Sequence, residues 1–546
     1  MPEHDEFDVD YLVVGSGFGV SVAALRLAEK GYRVTVIEQG RRWTPETLPE
    51  SNRNLRRWLW QPALGWHGFF GLRIFRHVVV LHGNAVGGGS ITYANTLLEP
   101  PAKVWQQGEW AGLADWAAIM PAHFATARRM LGVTRNRLPG PADARLRELA
   151  IARGIGDRCH PTDVGVYFGA EGEAPGTPHP DPYFDGEGPP RRSCIGCGGC
   201  MVGCRHGAKN SLDMNYLYLA EKRGAKVMAE TRVFRIRPLP GAEDGGKGYD
   251  VEIASVAGRM RKRIRLRCRG VVMAASSLGT QELLLRMRDD GCLPRLSAEL
   301  GKRVRTNAES LIGVRFPGCG EDLSQGVAIG SRVHIDDETH VEATRYPAGS
   351  DAMALLCAPM GEARGWRWPL HALGQFLRRP CRFIRAMRPR DWARECMILL
   401  CMQTLDGHLE MRLARRWWWP FRRGLASHGQ PIPACIPEAN EFARALAARH
   451  GGIAMTSLPE VLFDIPMTAH CLGGAGMGAD ARQGTCDARG RVFGYRNLLV
   501  CDGSLVSSNL GVNPSLTITA LAEHVMSGIP QANGRSWEDG AQETPT

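Results

Sequence analysis

"DYLVVGSGFGVSVAALRLAEKGYRVTVIEQG", from Asp10 to Gly40, carries the fold. Tyr11–Val14 is a short apolar run with the character of a buried parallel strand. Gly15, Gly17 and Gly19 follow. Then "SVAALRLAEKG" spaces its apolar residues at the helical period and closes on a glycine. "YRVTVIE" reads as a second strand ending at Glu38. Strand, glycine turn, helix and strand make a βαβ unit whose bare backbone lets a pyrophosphate reach the positive end of the helix. Glu38 lies about twenty residues beyond the turn, where an acid bonds an adenosine ribose hydroxyl and repels a 2′-phosphate, which disfavours NADP. Val20 replaces the third glycine of this fingerprint, at a position that wants Gly or Ala for close helix–strand packing.

With 546 residues and 44% hydrophobic content, the chain exceeds one ordinary core and predicts two domains. Its 65 glycines follow no period, which suits tight turns between strands and helices. The net charge is +11. Arginines gather with tryptophans in three stretches, Arg53–His77, Phe376–Arg394 and Arg412–Gly424. Such stretches fit either a membrane surface or a solvated basic face with its tryptophans packed inward. No nucleic-acid-binding motif accompanies the charge, which excludes a nucleic-acid partner. The amino terminus lacks the pattern of a signal peptide, and no apolar run is long enough to span a bilayer. Sixteen cysteines without an export signal point to a reducing, cytoplasmic setting, with peripheral membrane contact as an open option. Residues 531–546 read as a disordered polar tail.

Two further stretches carry chemistry. "LHGNAVGGGSITYANTL", Leu81–Leu97, follows a strand but does not start a helix, and reads as a glycine loop closing over a bound cofactor. "SCIGCGGCMVGCRHGAKNS", Ser193–Ser211, spaces Cys194, Cys197, Cys200 and Cys204 as C-x2-C-x2-C-x3-C. That is the spacing of a bacterial ferredoxin loop, with Arg205 in place of the usual proline. Zinc fits less well, since structural zinc prefers two pairs further apart. The remaining reading is a glycine-rich loop of reduced thiols.

Together "VVGSGFGVSVAALRLAEKGYRV", "GGGSITYANTL", "CMVGCRHGAKNSLDMNYLYLAE", "GTQELLLRMRDDG", "TAHCLGG" and "DGSLVSSNLGVNPSLTITALAEH" resemble the glucose–methanol–choline (GMC) oxidoreductases, and within them the actinobacterial type of cholesterol oxidase. The resemblance implies an α/β protein: a Rossmann-like FAD-binding domain with an inserted α+β substrate-binding domain containing a mixed or antiparallel sheet. It places the FAD-binding domain at 1–100, 190–310 and 460–530, and the substrate-binding domain and lid at 101–189 and 311–459. It implies that Gly15, Gly17 and Glu38 hold the adenosine half of FAD. Gly87, Gly88, Gly89, Ser90 and Asn95 line the flavin and pyrophosphate, the Val233 backbone meets the adenine, and Asp502, Asn513 and Pro514 complete the site. Ser276, in "AASSLGT", departs from a family glycine. Some GMC dehydrogenases pass electrons through a cluster on C-x5-C-x3-C, which Cys194, Cys200 and Cys204 match, so a [4Fe–4S] or [3Fe–4S] cluster stands beside the thiol loop as an expectation.

The expected reaction is oxidation of a 3β-hydroxysteroid, or a similar lipid alcohol, to the ketone. Hydride goes to flavin N5, and electrons go on to O2, giving H2O2. The proton needs an acceptor that titrates near neutrality, and His470 before the Gly473–Gly474 turn is the candidate. Asn513 in "GVNP" holds the substrate oxygen, and the helix that starts at Pro514 aims its positive end at the flavin. A Δ5–Δ4 isomerisation would need a carboxylate, with Asp351, Glu309 and Glu342 as candidates. The rival readings are an iron–sulfur dehydrogenase of another alcohol using a quinone or cytochrome, a non-catalytic membrane-docking flavin or metal sensor, and an NAD-dependent dehydrogenase.

Overall fold

The computed structural model describes residues 7–256, 263–361, 367–416 and 419–532. The tail from 533 onward and positions 417–418 of the third basic stretch lie outside them. The opening stretch forms the strand Val9–Val14, the helix Phe18–Glu29 and the parallel strand Val34–Ile37. Gly15 turns the chain with φ +105°, and a Cβ there would lie 2.5 Å from the Ala274 carbonyl oxygen. The helix stops at Lys30, and Gly31 follows in the left-handed region. A Cβ on Gly19 would fall 1.4 Å from the Cys501 carbonyl oxygen, whereas Val20 is fully buried in the core. The close approach expected of position 20 is therefore made by Gly19, which leaves Val20 free to pack.

The first sheet runs Lys226–Met228, Val34–Ile37, Val9–Val14, Arg263–Met273, Tyr249–Ser255, Thr231–Pro238. Leu498–Val500 pairs in parallel with the end of Arg263–Met273. The first four strands are parallel and the last two form an antiparallel hairpin. The helix Ser515–Ser527 packs on Phe18–Glu29, clamped by Arg26 Nε and Nη2, 2.7 and 2.8 Å from the two Glu523 carboxylate oxygens.

The second sheet is antiparallel throughout: Cys357–Pro359, Ile453–Ser457, Ser310–Arg315, Cys396–Gln403, Thr339–Thr344, Ile329–His334, Cys159–Pro161. Alternation along the strands divides its two faces. Ile312, Val314, Val341, Ala343, Met397, Leu399 and Cys401 pack against the helices Pro141–Ala152 and Pro437–Arg449. Leu311, Ile329, Leu400 and Met402 occupy the opposite face. The segment 101–189 serves both sheets. Its helix Trp116–Met130 buries Trp116, Met120, Phe124, Ala127 and Met130, a helical stripe, in the first core against Ser515–Ser527, while Pro141–Ala152 and Cys159–Pro161 join the second.

The first two basic stretches both turn a tryptophan inward, Trp58 and Trp392, and differ in what else they expose. In the first, Trp58 is buried and stacked on Phe70 at 4.4 Å, as an inward-packed tryptophan should be. In the second, the helices Trp368–Arg378 and Pro380–Met387 are held by Ala386, which packs with Ile453 and Met455, and by Arg382 Nη2 donating to the Gly452 carbonyl at 3.1 Å. They leave Leu370, Leu377 and Ile384 exposed at 66%, 70% and 57%. No acidic residue falls between Arg367 and Arg390. Among the described residues, no helix is long and apolar enough to cross a membrane.

Candidate active site

Two glycine turns meet over the start of the first helix. A Cβ on Gly88 would lie 2.5 Å from the Gly17 Cα, while Cβ atoms on Gly17 and Gly89 would meet nothing within 4 Å. The turns therefore touch and leave an open groove at a positive helix end. Ser16 stitches them together: its hydroxyl lies 2.6 Å from Glu38 Oε2 and 3.0 Å from the Ala85 carbonyl, and accepts from the Gly87 N–H at 3.1 Å. Glu38 Oε1 accepts from the Gly40 N–H at 2.7 Å. Burial pushes the Glu38 carboxyl up to about 7, against the pull of its bonds from Ser16 and the backbone. Ser90 donates to the Gly87 carbonyl at 2.6 Å and accepts from the Leu212 N–H at 2.9 Å.

Asn95 sits at φ +69° with both side-chain amide atoms buried and unpartnered among the described residues. Orphaned buried polar groups are costly, and they mark where a ligand bonds. Val233 is buried in the strand that leaves Glu38, since Thr231 N–H donates to the Glu38 carbonyl at 2.8 Å. Asp502 accepts from Thr280 Oγ1 at 2.6 Å and from the Ser504 N–H at 2.8 Å. Ser276, where the resemblance called for glycine, takes φ +69° next to Asp502. Pro514 caps Ser515–Ser527, and the Thr517 hydroxyl in its first turn is buried without a partner among the described residues. The open groove, the buried acid, the unpaired Asn95 amide and the two helix ends fit FAD.

His470 follows the short strand Met467–Thr468. Its Nδ1 lies 2.9 Å from Glu309 Oε2. The same carboxylate oxygen lies 2.7 Å from Thr468 Oγ1, which accepts from the His470 N–H at 2.8 Å. Burial on its own would lower the imidazole pKa, but the facing Glu309 carboxylate, with a smaller push from Glu342, raises it above 6.5. Nδ1 faces the carboxylate without an aligned hydrogen bond among the described residues, and a proton held on that side leaves Nε2 as the basic atom. Asn513 Nδ2 donates to Glu342 Oε2 at 3.2 Å, and Glu342 Oε1 lies 3.3 Å from His340 Nε2. Asn513 Oδ1 is buried and unpartnered among the described residues. Asn307, at φ +60°, holds the turn before it: Nδ2 donates to the Val512 carbonyl at 2.9 Å, and Oδ1 accepts from the N–H groups of Leu510 and Gly511.

Glu309 and Glu342 thus stand beside His470 and Asn513, whereas Asp351 does not. Its carboxylate accepts from the Ala393 N–H at 3.0 Å and faces Arg53. The sequence reading missed Ser16, His340, Thr468 and Asn307. Only the asparagine, in "RTNAES", had a signal, because a polar side chain that tolerates the left-handed region marks such a turn.

Cys194, Cys197, Cys200 and Cys204 line one cavity of about 120 Å³. Lys209 joins it to the flavin loop, donating to the carbonyls of Cys200, Ile91 and Tyr93 at 2.8, 2.9 and 3.1 Å. Among the described residues, no three His, Cys, Asp or Glu side chains converge closely enough to hold a single metal ion.

Comparison with known proteins gives the family. Models of the GMC oxidoreductases match residues 190–287 and 456–522, and that of the NAD(P)-binding Rossmann-like domain matches residues 13–84. A cholesterol oxidase of Acinetobacter baumannii is 52% identical over 96% of this chain and 95% of its own. A cholesterol oxidase of Mycobacterium tuberculosis is 43% identical over 96% and 91%. The crystal structure of a pyridoxine 4-oxidase, 16% identical, superposes with a TM-score of 0.59 over 95% of this chain and 99% of its own, which speaks to the fold alone. The chain belongs to the GMC oxidoreductase family and is an FAD-dependent oxidoreductase of alcohols.

Proposed function

We propose that this protein oxidises the 3β-hydroxyl of a sterol to the ketone, with O2 as the electron acceptor. The observation that carries the reading is the meeting of two pairs, His470–Glu309 and Asn513–Glu342, from four distant segments at the apolar face of the second sheet. Leu311, Ile329, Leu400 and Met402 give that face a wall suited to a fused-ring hydrocarbon. The names of the two relatives above point to the same substrate class. FAD held in the groove between Gly15–Gly17 and Gly87–Gly89, with Glu38 at its ribose, would supply the hydride acceptor for the alcohol carbon. His470 Nε2 takes the hydroxyl proton, and Glu309 stabilises the imidazolium that forms. Asn513, fixed by Glu342 and by the turn that Asn307 holds, orients the substrate oxygen. Glu309 and Glu342 are the carboxylates placed to move the C4 proton of a Δ5-ketone if the product isomerises.

A sterol lives in a membrane. The helices Trp368–Arg378 and Pro380–Met387, with apolar side chains outward and arginines beside them, are suited to lie on an anionic bilayer surface. All sixteen cysteines are free, in keeping with a reducing compartment. The test is anaerobic titration of the holoprotein with detergent-dispersed cholesterol. The flavin bands should bleach, and His470→Ala should slow bleaching about 10²–10⁴-fold without loss of FAD. A wild-type flavin that stays oxidised with every sterol overturns the reading.

A further inference from the structure

We propose that His340 and His334 form a proton path from the edge of the second sheet to Glu342, beside Asn513. The path rests on the O2 reading above. Strand register builds it. His340 lies opposite His334, and Arg332 lies opposite both Glu342 and His160. Residues directly opposite each other share a face. Val333 and Val341 alternate with them and pack on the other side of the sheet. The two histidines and Glu342 therefore share the face of Leu400 and Met402, which lie opposite Glu342 and His340. The strands Thr339–Thr344, Ile329–His334 and Cys159–Pro161 carry this row outward to the last strand of the sheet.

The contacts form a continuous series. Asn513 Nδ2 donates to Glu342 Oε2 at 3.2 Å, and Glu342 Oε1 lies 3.3 Å from His340 Nε2. The His340 and His334 rings are 5.4 Å apart between centroids, a separation that one proton crosses directly or over a water. Burial falls along the row: Glu342 is fully buried, His340 is 2% exposed, His334 is half-buried and His160 is exposed. An amide does not titrate, so among the described residues His340 is the titratable hydrogen-bond partner of the Glu342 side chain. Arg332, across from Glu342, gives fixed positive charge but no proton. Burial, with His340, Arg332, Arg158 and His160 around it, holds the His334 imidazole down to about 4. A neutral ring has one N–H to give and one lone pair to accept, as a relay needs. A histidine that served only to neutralise Glu342 would gain nothing from a second imidazole packed against it.

Oxidation of an alcohol by O2 moves two electrons and two protons onto H2O2. One hydrogen leaves the alcohol as hydride and the other as a proton, so a proton must return when O2 takes the electrons. Glu342, as the acid, gives that proton at the site. His340 reprotonates it, His334 reprotonates His340, and solvent reprotonates His334. Each hop breaks one O–H or N–H bond and forms the next, and no electron moves along the row. His340 and His334 are thus positioning residues that act through Glu342.

The experiment needs no sterol. The holoprotein is reduced to its end point with dithionite, then mixed with O2 in a stopped-flow instrument, in H2O and in D2O. His340→Gln keeps a hydrogen bond for Glu342 but carries no proton. It should keep its FAD, reoxidise at least about tenfold more slowly, and show a larger solvent isotope effect. His334→Ala should show a smaller defect, and imidazole added to the buffer should restore at least half of the wild-type rate. Slower reoxidation with an unchanged isotope effect and no imidazole rescue would assign both histidines to structure and overturn the path. If His340→Gln does not fold, His334→Ala and its rescue decide. Wild-type reoxidation rates in both variants overturn the path alone, whereas a wild-type flavin that O2 leaves reduced overturns the O2 reading and the path with it.

Discussion

Two carboxylates set the pH behaviour, and each makes a checkable statement. With His470 as the proposed base, kcat/KM should climb as the imidazole loses its proton, with a midpoint above 6.5, because Glu309 holds the folded-state pKa up. Replacing Glu309 with Gln removes the larger stabilising charge and leaves only the smaller push of Glu342 against burial. The midpoint should then move to lower pH while the plateau falls, since the ring loses its orienting partner; a midpoint that stays in place would show that another group titrates. Glu38 works on cofactor affinity. Without FAD its carboxyl titrates at about 7 because it is buried. Ribose hydroxyls donate to the ionised form, so binding releases the proton. The Kd for FAD measured by fluorescence should fall roughly tenfold from pH 6 to pH 8, and Glu38→Gln should flatten that slope. Glu38 was legible as the acid that ends the second strand beside the glycine turn, from its spacing. Ser16, which binds it to the second glycine loop, was not, because a serine between two glycines carries no mark of a partner about seventy positions away.

Among the elements, the basic helices Trp368–Arg378 and Pro380–Met387 make the clearest prediction. Arginines near an anionic surface contribute about 1 kcal/mol each. Exchanging Arg378, Arg379 and Arg385 for Gln should therefore weaken binding to phosphatidylserine vesicles by about a hundredfold or more in a sedimentation assay. Turnover of detergent-dispersed sterol should stay unchanged. Leu370→Ser with Leu377→Ser should also release the protein, but with little dependence on salt. Equal vesicle binding by all these proteins would assign the surface to solvent. The sequence marked this stretch by its charge, but it marked Arg53–His77 just as strongly, and in both the tryptophan, Trp392 here and Trp58 there, turned inward. Only the tertiary neighbours decide which way such a tryptophan faces. The same limit applies to "THVEAT". Its alternation separates His340 and Glu342 from Val341 and Ala343, yet nothing local says which face of the sheet meets the site.

At the scale of the molecule, the segments rich in glycine and fixed chemistry were readable, because turns, helix ends and nucleotide contacts constrain residue type. The inserted sheet was readable only as a class, since its strands answer to packing. Arg305 illustrates what stayed hidden. It is almost fully buried, and it joins Glu109, at 2.9 Å from both terminal nitrogens, to Asp406 at 2.9 Å, so three separate segments share one cation. Glu109→Ala should strip that buried charge of its main partner and cost roughly 3 kcal/mol. Thermal unfolding followed by flavin fluorescence should show this as a lower transition with release of FAD in the same step; an unchanged transition would show the network to be incidental. The clasp between Arg26 and Glu523 has a consequence for biosynthesis. The two residues are 497 positions apart, and the strand that seats Gly19 also comes from the carboxyl-terminal stretch. During translation the amino-terminal helix therefore emerges first and waits, at ordinary ribosomal speeds for roughly 25 to 100 seconds, with its apolar side uncovered. The nascent chain cannot load its flavin in that interval, so cofactor capture and release from the ribosome fall close together in time.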